Sequence, residues 1–226
     1  LLPEEIREMP VSWEQILRLR SWVASRWAHD PFGRSYAPWD PWTVLDWTKR
    51  DGGHGQESKI AMCVHFSAVF VAFASALGHS ARCIAVTPDF NSPDGHFVAE
   101  VFDSDRGKWV VHDANYDVHY EDGAPLSAVD MADRAMAGRD CSGVVRSGPS
   151  MPRGPERVVD AFRRHFATGG SYLLTAVWSR NNYISNPVAA PPNHGSITYA
   201  ETDFVWYTPD ELSSGRTDMF PYRSGS

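Results

Sequence analysis

The chain is short of cysteine, short of positive charge and without internal repeats, and each shortage excludes something. Three cysteines in 226 residues, Cys63, Cys83 and Cys141, are too few for a disulfide scaffold. Their odd number leaves at least one thiol outside any intrachain bridge, so a reducing compartment, the cytoplasm, is expected. Lys and Arg number 21 against 28 Asp and Glu, giving a formal net charge of −7. Such a balance offers no general attraction to phosphate backbones or anionic membranes, so neither nucleic acid nor a membrane is an expected partner. The opening Leu1-Leu2-Pro3-Glu4-Glu5 has no basic n-region and no apolar h-region. No signal peptide is therefore visible, a leader already removed being the alternative.

Residues 60–81 contain no Asp, Glu, Lys or Arg, which passes the crude length test for a membrane span. Against a span stand His65, Ser67, Ser75 and His79 within the run, the stop at Gly78, and a strand-like Ala81-Arg82-Cys83-Ile84-Ala85-Val86 directly after it. A helix apolar all round, bounded in this way, belongs in the core of a globular protein. Composition agrees, since 42% hydrophobic and 22% charged residues supply a real core rather than a disordered chain. The length suits one domain, residues 1–226.

What is present reads as helices followed by strands. Ser12-Trp13-Glu14-Gln15 has the capping-box pattern, and Trp13, Ile16, Leu17, Val23, Ala24 and Trp27 recur near helical spacing. Pro41 opens a short helix through Val44, Leu45 and Trp47 that Gly52-Gly53 ends. The long apolar helix starts near Cys63. Residues 81–87, 96–102 and 108–113 read as strands, the last two joined as a hairpin by the polar loop at 103–107. Further on, helices are expected over 127–137 and 155–166, a loop over 141–154, and strands over 171–178 and 196–207. The last two strands flank a long Asn- and Pro-rich loop at 181–193, and the tail from 213 is expected to fray.

Chemistry enters with Cys63. A helix N-terminus carries partial positive charge and unpaired N–H groups, which favour a thiolate there. His96 opens one strand and Asp113 closes the next, so a hairpin makes them cross-strand neighbours at one edge of the sheet. Thiol, imidazole and carboxylate then match nucleophile, general base and orienter. His112 is a rival base, but adjacent strand residues point to opposite faces, so it and Asp113 do not both face Cys63. Six of the nine histidines lie between 54 and 119, yet Cys63-x-His65 and His79-x-x-x-Cys83 lack the paired spacing of a structural zinc site, and no metal is expected. His65 reads as a satisfied core residue, and Trp13, Trp27 and Trp47 as core aromatics.

Four segments carry a resemblance: Met62-Cys63-Val64-His65-Phe66-Ser67-Ala68, Ala76-Leu77-Gly78-His79-Ser80-Ala81-Arg82, Gly95-His96-Phe97-Val98-Ala99-Glu100-Val101 and Gly107-Lys108-Trp109-Val110-Val111-His112-Asp113. Together they resemble the transglutaminase-like superfamily over about residues 42–120. Two positions depart from its pattern: Ala61 where glycine is common, and Phe97-Val98 after the histidine. The resemblance implies a papain-like α+β fold, with a helix carrying Cys63 packed on an antiparallel sheet carrying His96 and Asp113. It also implies those three residues as a catalytic triad. The remainder, residues 121–226, is expected to shape the substrate site.

The implied chemistry is acyl transfer or hydrolysis at an amide or thioester carbonyl through a Cys63 thioester, with no cofactor. Proteases, amide hydrolases, crosslinking enzymes and biosynthetic acyltransferases all fall within it, so the expected partners are a peptide or small-molecule amide or thioester and an amine acceptor. The backbone N–H of Cys63 is an oxyanion donor candidate, and Gln56 is the nearest side-chain amide that would assist. The alternative is a catalytically idle binding module on the same fold.

Overall fold

The computed structural model describes residues 2–27, 41, 44–45, 62–87, 96–139, 144–150 and 173–177. The order along the chain is α1 (Glu4–Arg7), α2 (Trp13–Ala24), α3 (Cys63–Ala76), β1 (Ala81–Thr87), β2 (His96–Asp103), β3 (Lys108–Asp113), β4 (Val118–Tyr120), α4 (Ala128–Met136), β5 (Val145–Ser147) and β6 (Leu173–Val177). The six strands form one antiparallel sheet in the order β5-β4-β3-β2-β1-β6. This is the α+β, papain-like arrangement expected, with the cysteine helix against the sheet.

Local chemistry sets the helix ends. Ser12 Oγ accepts the Gln15 N–H at 3.3 Å, which is half of the capping box. The other half is absent because Gln15 is recruited elsewhere: its Nε2 donates to the carbonyls of Ile6 and Met9, and its Oε1 lies 2.8 Å from His79 Nε2. The amide thereby ties α1, α2 and the end of α3 together. Helix α3 closes in a Schellman motif, with Gly78 at φ 96, its N–H on Ser75 O and the His79 N–H on Ala74 O. Every residue from Cys63 to Phe70 is buried, as an all-round apolar helix requires. Among the described residues no helix is long and apolar enough to cross a membrane.

The main core lies between the α2–α3 layer and the sheet, where Ile16, Leu19, Val23, Phe66, Val69 and Phe70 meet Cys83, Ala99 and Val101. Trp27 joins it edge-on to Phe66, and Val44 and Leu45, both helical with Pro41, are buried there too. Strand alternation sends Glu100 the other way. On that face Arg82 pairs with Glu100 at 2.6 Å and stacks over Trp109, and Glu100 Oε1 accepts the Ala128 N–H at the start of α4. Ser127 and Asp130 cap α4 reciprocally, each side-chain oxygen accepting the other's N–H.

Some of the sequence expectations needed correction. Residues 145–147, expected as part of a loop, form β5, and β4 and α1 were not anticipated at all. Both strands are only three residues long, too short for a two-residue period to register. They exist because β4 pairs with β3 and β5 with β4, a non-local ladder that no window of sequence displays. The strand expected at 171–178 is seen as β6, an edge strand paired with β1. The expected helix at 155–166, the strand at 196–207, the loop at 181–193, the tail from 213, Gly52-Gly53, Trp47, Gln56, Ala61 and Cys141 lie outside the described residues.

Candidate active site

Cys63 is the first residue of α3 and is buried, 9% exposed. The start of that helix is defined by a residue three places beyond the cap residue Met62: His65 Nδ1 accepts the Met62 N–H at 2.9 Å, the N3 role of a capping box. His65 is fully buried and satisfied, as expected, and in addition it caps the helix. One turn in, Ser67 Oγ donates to Phe97 O at 3.0 Å. This bond clamps the cysteine turn of α3 to the second residue of β2, next to His96.

His96 opens β2 and Asp113 closes β3. The ladder pairs Ala99 with His112, so His96 and Asp113 are cross-strand neighbours on the diagonal. Side-chain reach closes the gap. His96 Nε2 donates to Asp113 Oδ2 at 2.7 Å, with both groups buried. The other carboxylate oxygen accepts the backbone N–H groups of Asn115 at 2.9 Å and Tyr116 at 3.2 Å. This turn fixes the carboxylate plane. The Tyr116 ring lies 5.4 Å from the imidazole, tilted by 38°.

With Nε2 committed to Asp113, Nδ1 is the ring nitrogen left for the thiol, and His96 interacts with Cys63 through a hydrogen bond and through charge. Burial opposes a charge on His96. The Asp113 charge and hydrogen bond, then the Cys63 contacts, outweigh it and raise the imidazole well above its usual range. These contacts therefore favour the imidazolium over the neutral ring. The structure brings together Cys63, His96 and Asp113.

His112 points away, as strand alternation required. It packs against Trp13 at 5.2 Å and Phe70 at 5.8 Å, with Nδ1 3.5 Å from Arg20 Nη1. Burial, then the Arg20 cation, then His119 and His79 hold it well below the usual imidazole range. His119 Nδ1 lies 2.8 Å from the same Arg20 nitrogen, and Arg20 Nε donates to Asp117 at 2.8 Å. The reading of the sequence missed this second cluster, because Arg20 and Asp117 are far apart along the chain and neither belongs to a motif. Cys83 is buried in the core. Among the described residues no group of three His, Cys, Asp or Glu side chains is placed to hold a metal ion.

A model of the family described as the transglutaminase-like superfamily matches residues 2–114. The match reaches the N-terminal helices as well as the four motif segments, so it begins before the 42–120 read from the motifs and stops at 114. No curated protein matches significantly. Among solved structures, a candidate cysteine protease from Cytophaga hutchinsonii is similar at 17% identity and a TM-score of 0.34, over 50% of this chain and 34% of that one.

Proposed function

The chain belongs to the transglutaminase-like superfamily, and from that premise we propose that it is a cysteine enzyme in which Cys63 forms a thioester with the acyl group of an amide or thioester substrate. His96 is the general acid and base, and Asp113 holds it in place. The observation that carries the reading is the buried 2.7 Å His96–Asp113 contact beside a cysteine that begins a helix.

The steps balance as follows. The Cys63 sulfur adds to the carbonyl carbon and the oxygen takes up negative charge, facing the N–H at the head of α3, with Gln56 from the preceding segment as the side-chain candidate. Collapse expels the amine or thiol, which leaves with the His96 proton. Water or an amine then attacks the thioester and gives its proton back to His96, and the sulfur departs. Water yields hydrolysis; an amine yields transfer. Peptides and small-molecule amides or thioesters are the substrate classes, residues 121–226 shape their site, and the chain acts as one domain without a cofactor.

Iodoacetamide alkylation followed by peptide mass mapping tests the reading without a known substrate. Cys63 is expected to react at pH 6.5 at least about tenfold faster in the wild type than in His96→Ala. Equal rates in the two proteins would point to the idle binding module instead. Incubation with p-nitrophenyl acetate should add one acetyl group to the wild-type chain and none to Cys63→Ala.

A further inference from the structure

Asp113 and Asp117 bracket a single turn, Ala114-Asn115-Tyr116, between β3 and β4. The near end of that turn orients the Asp113 carboxylate through the N–H groups of Asn115 and Tyr116. At the far end, Asp117 has φ 55, a left-handed conformation that is uncommon outside glycine and that Asp and Asn tolerate best. Two separate segments hold it there. From α2, Arg20 Nε reaches Oδ1 at 2.8 Å and Ser21 Oγ lies 2.9 and 3.0 Å from the two oxygens. From the segment after β5, the Ser150 N–H donates to Oδ2 at 2.9 Å and the Gly148 N–H to the Asp117 carbonyl at 2.7 Å. A Cβ on Gly148 would stand 2.2 Å from the same carboxylate, so glycine is required for this approach.

A buried ion pair is weak evidence of stabilisation, because desolvating both charges offsets most of their attraction. What it does provide is one fixed geometry. We infer that Arg20, acting through Asp117, is a positioning residue for the His96–Asp113 pair, locking the turn that presents the Asp113 carboxylate. Its cation also lies within electrostatic reach of Asp113. A displacement of about 1 Å at such a site is enough to cost a large factor in rate.

The inference rests on the thiol-enzyme reading, so the test uses a signal that needs no activity: the titration of the His96 ring by NMR, assigned by comparison with His96→Gln. The double variant Arg20→Met/Asp117→Asn removes both charges at once, leaves no unpaired ion, and keeps a residue tolerant of positive φ at 117. Ser21→Ala loosens the same carboxylate with no change of charge. The expected result is a His96 midpoint lower by roughly one pH unit in the double variant, a smaller shift in the same direction in Ser21→Ala, and Cys63 alkylation at pH 7 slowed in step. A folded double variant that titrates His96 as the wild type does overturns the inference. Should the double variant not fold, an unshifted His96 in Ser21→Ala overturns it equally. Ordinary alkylation of Cys63 in the wild type ends the enzyme reading alone, since the His96 midpoint still reports the positioning.

Discussion

Two buried ionic groups lie on the sheet, built from the same residue types and held in opposite charge states. At the head of α3, His96 faces the Asp113 carboxylate directly and is driven toward its protonated form. Beneath α2, the carboxylate of Asp117 is claimed by Arg20, and the histidines beside it face the guanidinium instead. Burial there, reinforced by the Arg20 cation, lowers His119 to about 4 against the pull of Glu121, and His112 is pushed down as well. Burial alone disfavours the imidazolium in both places; the sign of the nearest charge decides whether it wins. The nearest charge thereby favours the protonated imidazole in one group and the neutral imidazole in the other.

The most damaging test of the contrast removes a member of the reactive group. His96→Ala should lower any turnover by roughly 10²–10⁴-fold, measured by acyl-enzyme formation, and by stranding the buried Asp113 carboxylate it should also lower the thermal transition, measured by calorimetry. Asp113→Asn should drop the His96 midpoint; a midpoint that stays high would assign the shift to Cys63 alone.

Next come substitutions in the Arg20–Asp117 group. Asp117→Ala strands the Arg20 charge at 2% side-chain exposure, and loss of one member of such a pair costs about 3–5 kcal/mol. The Arg20→Met/Asp117→Asn pair should cost much less, so urea unfolding of the single and double variants measures the difference directly. Gly148→Ala drives a methyl into the Asp117 carboxylate, an overpacking worth about 1–3 kcal/mol.

Acid sharpens the comparison further. His119 binds a proton near pH 6.5 when unfolded but only near pH 4 when folded, so its contribution to stability is complete above that window and lost as pH falls through it. His112 acts in the same direction. His96 has the opposite sign: with its folded value raised, its contribution is complete below about pH 6.5 and fades as pH rises through the folded value. His119→Gln should therefore flatten the acid limb of melting temperature against pH, and His96→Gln the alkaline limb. The smallest expected effect is Gly78→Ala, about 1 kcal/mol from the φ of 96.

How legible each region was in the sequence follows from how local its signals are. Helix α3, its Gly78 stop, β1 and β3 fall where residue pattern puts them, and β2 runs one residue further, to Asp103, because pattern and burial coincide there. The Cys63, His96 and Asp113 positions were readable because each stands at an element end. The cap by His65, the clamp from Ser67 to Phe97 O and the whole Arg20–Asp117 cluster were not readable. Their partners are set by how α2, α3 and the β3–β4 turn pack, and nothing in the local spacing announces that.

Sequence by itself determined the antiparallel hairpin, the buried helix and the residue types available at their ends, since period, turn chemistry and hydrophobicity act over a few neighbours. Tertiary structure decided the diagonal register that joins His96 to Asp113, the addition of β4, β5 and β6 to the sheet, and which histidines are charged. Protonation depends on the distance to a cation or an anion and on the water excluded around it. Both quantities exist only once segments distant along the chain have met.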